Sequence, residues 1–94
     1  MRLFWIIIIF CLISPMAHAA CYVDYKAKKD GPLRLHYGVA ELPDRACRSK
    51  RQAANSLAPR LAAGGWTLLN IVSIFDGTGL SERKRSAGSH FLRY

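Results

Sequence analysis

The chain has 94 residues, 51% of them hydrophobic, and a formal net charge of +8. That length leaves room for one small domain and excludes a second domain of ordinary size. The charge favours anionic partners: membrane surfaces, anionic polysaccharides, nucleic acid or an acidic protein face.

Residues 1–19 read as a cleaved secretory signal. Met1-Arg2 is a short basic start, residues 3–13 (LFWIIIIFCLI) are apolar without a break, and Ser14-Pro15 ends the run. Ala17-His18-Ala19 then sets small residues at the two subsites of a signal peptidase. Eleven apolar residues span about 16 Å as a helix, about half of a hydrocarbon core, which argues against an uncleaved anchor. A lipoprotein with acyl chains on Cys21 is the alternative, but such signals carry a Leu-like residue where this chain has His18. The expected protein is exported, periplasmic or extracellular, and any membrane contact is peripheral rather than spanning.

Cleavage after Ala19 leaves one domain, residues 20–94, with 13 basic and 6 acidic residues and a net charge of +7. Cys11 departs with the signal, and Cys21 and Cys47 remain as an even pair in an oxidising compartment. A bridge between them would close a loop of about 27 residues, worth about 3.5 kcal/mol by chain entropy. Neither cysteine has a Cys-x-x-Cys partner or a histidine at ligand spacing, so a metal or redox site is not indicated.

Residues 22–28 alternate, with Val23, Tyr25 and Ala27 on one side and Tyr22, Asp24, Lys26 and Lys28 on the other, which predicts a half-buried strand. Asp30-Gly31-Pro32 is a turn. Residues 33–42 alternate again, with Leu33, Leu35, Tyr37 and Val39 facing one way and Arg34, His36, Gly38 and Ala40 the other. Together they predict an antiparallel hairpin. Pro43-Asp44 starts a helix with Asp44 as N-cap. Ala46, Cys47, Ala53, Ala54, Leu57, Ala58, Leu61 and Ala62 form its inward stripe, which makes a Cys21–Cys47 bridge geometrically reasonable. Pro59 should kink or divide the helix, and Gly64-Gly65 should end it. Residues 66–75 (WTLLNIVSIF) are apolar on both faces and predict a central strand. After the turn 76–79, a short helix over 80–87 and a last short strand over 90–94 complete the order β-β-α-β-(short α)-β. This is an α+β domain, with one main helix packed on one face of a small antiparallel sheet.

The stretch Leu61-Ala62-Ala63-Gly64-Gly65-Trp66-Thr67-Leu68-Leu69, with Val72-Ser73 and the closing Phe91-Leu92-Arg93, resembles small bacterial domains of unknown function. Those have a helix ending in a Gly-Trp pair and a strand of the type Trp-x-Leu-Val-x-Val. The whole chain also resembles short exported proteins of Gram-negative bacteria. The resemblance implies the fold class and a periplasmic setting, and it implies no activity.

No catalytic motif stands out. There is no Gly-x-Ser-x-Gly elbow, no paired carboxylates, no metal-ligand cluster and no phosphate-cradling glycine loop, and no cofactor is expected. His36 and His90, with lysines around them, could in principle run the acid–base cleavage of RNA that ribonucleases use. The plain alternative is two solvated histidines. Tyr22, Lys26, Lys28, Arg34 and His36 are expected on one sheet face opposite the helix, where aromatic rings interleaved with cations can hold anionic groups. The plain alternative there is an ordinary wet sheet face. Two further basic clusters, Arg48-Lys50-Arg51 and Arg83-Lys84-Arg85, read as solvated faces, or less often as contacts to headgroups or acidic partners. The expected function is therefore a non-enzymatic exported binding or accessory module whose partner is an anionic surface or another envelope protein, with no specific nucleic acid. A ribonuclease using His36 and His90, or a cationic membrane-active protein, are the alternatives.

Overall fold

A computed structural model of the chain describes residues 20–94. The signal expected at 1–19 lies outside the described residues. The elements are β1 (Ala20–Lys29), β2 (Arg34–Pro43), α1 (Lys50–Ala63), β3 (Thr67–Phe75) and α2 (Leu80–Ala87). The expected small α+β architecture is present, with a sheet of three antiparallel strands in the order β2-β1-β3.

The hairpin register fixes which side chains share a face. Cys21, Val23, Tyr25 and Ala27 of β1 stand opposite Leu42, Ala40, Gly38 and His36 of β2. This face receives α1 through Ala53, Leu57 and Leu61, each fully buried, and Trp66 and Ile71 close the core. The apolar residues expected to point inward from the start of β2 do not: Leu33 and Leu35 are 62% and 67% exposed. Two-residue alternation fixes which residues share a face, but only the pairing with β1 decides which of the two faces meets the helix.

β3, expected at the centre, is an edge strand, and β1 is central. Two irregularities in the β1–β3 pairing explain its long apolar run. Asp24 pairs with Ser73 but Tyr25 with Ile71, and Lys26 pairs with Asn70 but Ala27 with Leu68. The residues skipped, Val72 and Leu69, are bulges. Each bulge resets the alternation, so Leu68, Ile71 and Ile74, spaced by three, all face α1. Leu69 and Val72 are left 50% and 37% exposed.

The N-terminus of α1 also differs from expectation. Asp44 opens a separate 3-10 turn, Asp44–Cys47, and the cap of α1 is Ser49, whose Oγ accepts from the Gln52 N–H at 3.1 Å. Pro59 neither divides nor ends the helix, which runs unbroken to Ala63. The exit is as expected: Trp66 N–H donates to Leu61 O and Gly65 N–H to Ala62 O, both at 2.9 Å, with Gly65 at φ +87°. This is a Schellman closure, and its left-handed residue is the reason for a glycine there. Cys21 and Cys47 form a disulfide with Cα atoms 6.3 Å apart, tying the start of β1 to the turn before α1.

α2 lies on the other sheet face. The last strand expected over 90–94 is reduced to a single parallel bridge of Phe91 with Val39, where Leu92 N–H donates to Val39 O at 2.8 Å. This segment covers the outer edge of β2. Arg60 of α1 holds its end, donating from Nε to Tyr94 O at 2.7 Å and from Nη2 to Glu41 O at 3.0 Å.

Candidate functional site

The Ala27–His36 pairing sets His36 on the α1 side of the sheet, at the turn end of the hairpin. Tyr25, on the same face, lies over Gly38: a Cβ there would come within 2.6 Å of the Tyr25 ring carbon Cζ. The absent side chain lets the phenol cross to β2, where its hydroxyl is 2.9 Å from His36 Nε2. The segment that leaves α2 brings His90 onto the other side of the His36 ring. The two imidazoles stack with centroids 3.7 Å apart and planes 8° apart. Trp66 meets His36 edge-on at 4.2 Å, and Tyr94 stacks beyond, 5.8 Å from His36 and 5.9 Å from His90. Five rings thus form one cluster at the point where the hairpin, the α1 exit and the chain's last residues meet.

Cations surround it. Lys29 Nζ lies 4.6 Å from the Trp66 ring centroid, and the Arg93 guanidinium 5.6 Å from that of Tyr94. A cavity of about 450 Å3 opens here, lined by Lys29, Arg34, Trp66, His90, Arg93 and Tyr94 along with Leu35 and Gly64. Among the described residues, no Asp or Glu side chain lines it. Burial, His90, Arg93 and Lys29 together push the His36 pKa down to about 4, and burial and Arg93 also lower that of His90. Both rings are therefore neutral at pH 7, while burial pushes the Tyr25 phenol up and keeps it protonated. The Nδ1 atoms of both histidines are buried without a hydrogen-bond partner among the described residues.

This geometry bears on the residues named from the sequence. Of the five expected on one open face, only Arg34 and His36 reach this site, and they face α1. Tyr22, Lys26 and Lys28 lie on the opposite face. The expectation of a single shared face is corrected by the hairpin register, since β2 meets β1 one position out of the alignment assumed. His36 and His90 do come together, but as a contact stack. Two imidazoles that pass a proton to and from a phosphate must flank it, and rings 3.7 Å apart leave no space between them. Lys29, Trp66, Arg93 and Tyr94 were missed. Trp66 carried the one available signal, as the aromatic residue directly after a helix-ending glycine pair. Tyr94 is 28 positions further on, and nothing local links the two.

A second polar cluster anchors α2 to the other face. Asp24, only 5% exposed, accepts from Tyr37 Oη at 2.7 Å, Ser73 Oγ at 2.6 Å and Arg83 Nε at 3.1 Å. Burial alone would raise its pKa, but the bonds from Ser73, Tyr37 and Arg83 outweigh it and hold the carboxyl below its ordinary value. Burial and the Asp24 carboxylate push the Tyr37 phenol up to about 12. Arg83 also stacks on Phe75, 3.9 Å from its centroid, and donates to Gly79 O at 2.8 Å. Arg83 of the basic run is therefore a structural anchor, whereas Lys84 and Arg85 stay exposed. Arg48, Lys50 and Arg51 are likewise exposed. Among the described residues no group of three or more His, Cys, Asp or Glu is arranged to hold a metal ion.

No family model, no curated protein and no solved structure matches this chain.

Proposed function

We propose that this chain is an exported binding module that holds an anionic group of its partner, an anionic surface or another envelope protein, at the hairpin end of the domain. One observation carries this reading: Lys29, Arg34 and Arg93 ring an aromatic-floored cavity of about 450 Å3 that, among the described residues, no Asp or Glu side chain lines. Converging cations give the anion its charge partners, and the Trp66 and Tyr94 rings offer faces to the sugar or ring that carries it. The stacked, neutral histidines serve as floor rather than as proton carriers, which supports binding over catalysis. Export is part of the proposal: residues 1–19 carry the signal pattern. The Cys21–Cys47 disulfide is compatible with an oxidising location.

The test is titration with a short sulfated oligosaccharide, followed by calorimetry or amide chemical shifts. Arg34 and Arg93 are exposed, so their replacement leaves the fold intact. Arg34→Ala and Arg93→Ala are each expected to weaken binding about fivefold, and the affinity to fall as salt screens the charges. Unchanged affinity in the double variant would defeat the reading.

A further inference from the structure

The sheet face away from α1 is divided. Its far end, around Asp24, Val39 and Phe75, lies under or beside α2 and the closing segment. Its hairpin end is open. There Leu35 of β2 and Leu69 of β3 line an apolar cleft of about 290 Å3 with Lys26 and Tyr37. Leu33 stands beside it in the turn. These three leucines are 62%, 67% and 50% exposed for Leu33, Leu35 and Leu69 respectively. Single exposed leucines need no explanation, but three gathered at one end of a molecule mark a contact surface.

The charges around them narrow the partner. Lys26 and Lys28 stand on the same face, and Lys29 and Arg34 flank the turn. Asp30 is the sole acid in the turn and is already paired with Lys28 at 3.3 Å. A free anion would use the cations and ignore the leucines. A second copy of this chain would bring the same cations against each other. A bilayer surface carrying anionic lipids satisfies both parts at once. Leucines enter the boundary of the acyl region, and the long lysine and arginine side chains extend into the headgroup phosphates.

We propose that the open hairpin end of this sheet face docks onto an anionic phospholipid membrane, with Leu33, Leu35 and Leu69 as the inserted residues and Lys26 and Lys28 as the headgroup contacts. The contact is peripheral: no described helix is long and apolar enough to cross a membrane. Leu35 borders both the cleft and the cavity beside Trp66, but Leu33 and Leu69 do not line that cavity, so the proposal stands whether or not it binds an anion.

Co-sedimentation with phosphatidylglycerol-containing vesicles tests it, with phosphatidylcholine vesicles as the comparison. All variants carry the same N-terminus, so residues 1–19, if retained, contribute equally to each. The unaltered chain is expected to partition roughly tenfold more strongly onto the anionic vesicles. Leu33→Ser with Leu69→Ser, both exposed and therefore harmless to the fold, and neither lining the cavity beside Trp66, is expected to weaken that binding roughly tenfold. Arg93→Ala, which removes a cation of the cavity that neither Leu33 nor Leu69 lines, is expected to change it less than about twofold. That variant separates failure of this proposal from failure of the anion cavity. Absent vesicle binding, or binding that salt removes while the leucine changes leave it intact, would overturn the proposal. So would self-association that the leucine changes dissolve without any vesicle binding, which would assign the face to a second copy.

Discussion

At the scale of single residues, buried Asp24 and the two stacked histidines carry the most consequence. Asp24 is satisfied by three donors, one of them the Arg83 guanidinium. Removing the carboxylate strands that cation and two hydroxyls, which costs more than the pair itself contributes. Asp24→Ala is expected to lower stability by about 3 kcal/mol and Ser73→Ala by about 1 kcal/mol, read from urea unfolding. The histidines set a separate pH dependence. The pKa of His36 in the fold, about 4, lies below its ordinary value of 6.5. Between those values the unfolded chain binds a proton that the folded chain refuses. Stability is therefore complete above about pH 6.5 and falls as pH drops towards 4. His90 is shifted the same way and adds to the slope. Asp24 acts lower: its contribution is present above its ordinary 3.8 and is lost as pH falls through its depressed folded value. His36→Gln should reduce the slope between pH 6.5 and 4, and His36→Gln with His90→Gln should abolish it, while the steeper loss at lower pH remains. A slope unchanged in the double variant would refute the assignment.

At the scale of elements, the disulfide and the strand irregularities do different work. The bridge joins residues 26 apart and so restrains the unfolded chain across β1, β2 and the turn before α1. Its reduction is expected to cost about 3.5 kcal/mol in a small domain with a marginal core, measured as the shift in urea midpoint with and without reductant. The hairpin, the main helix, its glycine exit and the existence of β3 were all legible, because each is signalled by residues close together in sequence. The position of β3 was not. An apolar run on both faces usually marks a central strand, but here two bulges turn Leu69 and Val72 outward and leave Leu68, Ile71 and Ile74 on the core side. A bulge is a property of the pair of strands, so β3 alone could not reveal it. The cap of α1 was misplaced for a related reason: Asp44 and Ser49 both suit an N-cap, and the bridge at Cys47 separates their two turns.

At the scale of the whole molecule, compartment and charge come before any partner. If the chain is exported as proposed, its intact mass is expected to begin at Ala20, two hydrogens light, with both cysteines alkylated only after reduction. Acyl chains on Cys21 would contradict the Cys21–Cys47 bridge seen in the fold. The sequence by itself determined the basic balance, the cysteine pair and the α+β class, because composition and short-range periodicity encode them. It also singled out His36 and His90, though without their relation to each other. Tertiary structure alone decided that the rings of Tyr25, His36, Trp66, His90 and Tyr94 meet, that Lys29, Arg34 and Arg93 surround them, and that the leucines of the turn face solvent beside lysines. Those outcomes depend on strand register and on where the last residues return to the sheet. Both are set by pairings between residues far apart in the chain, which local pattern does not record.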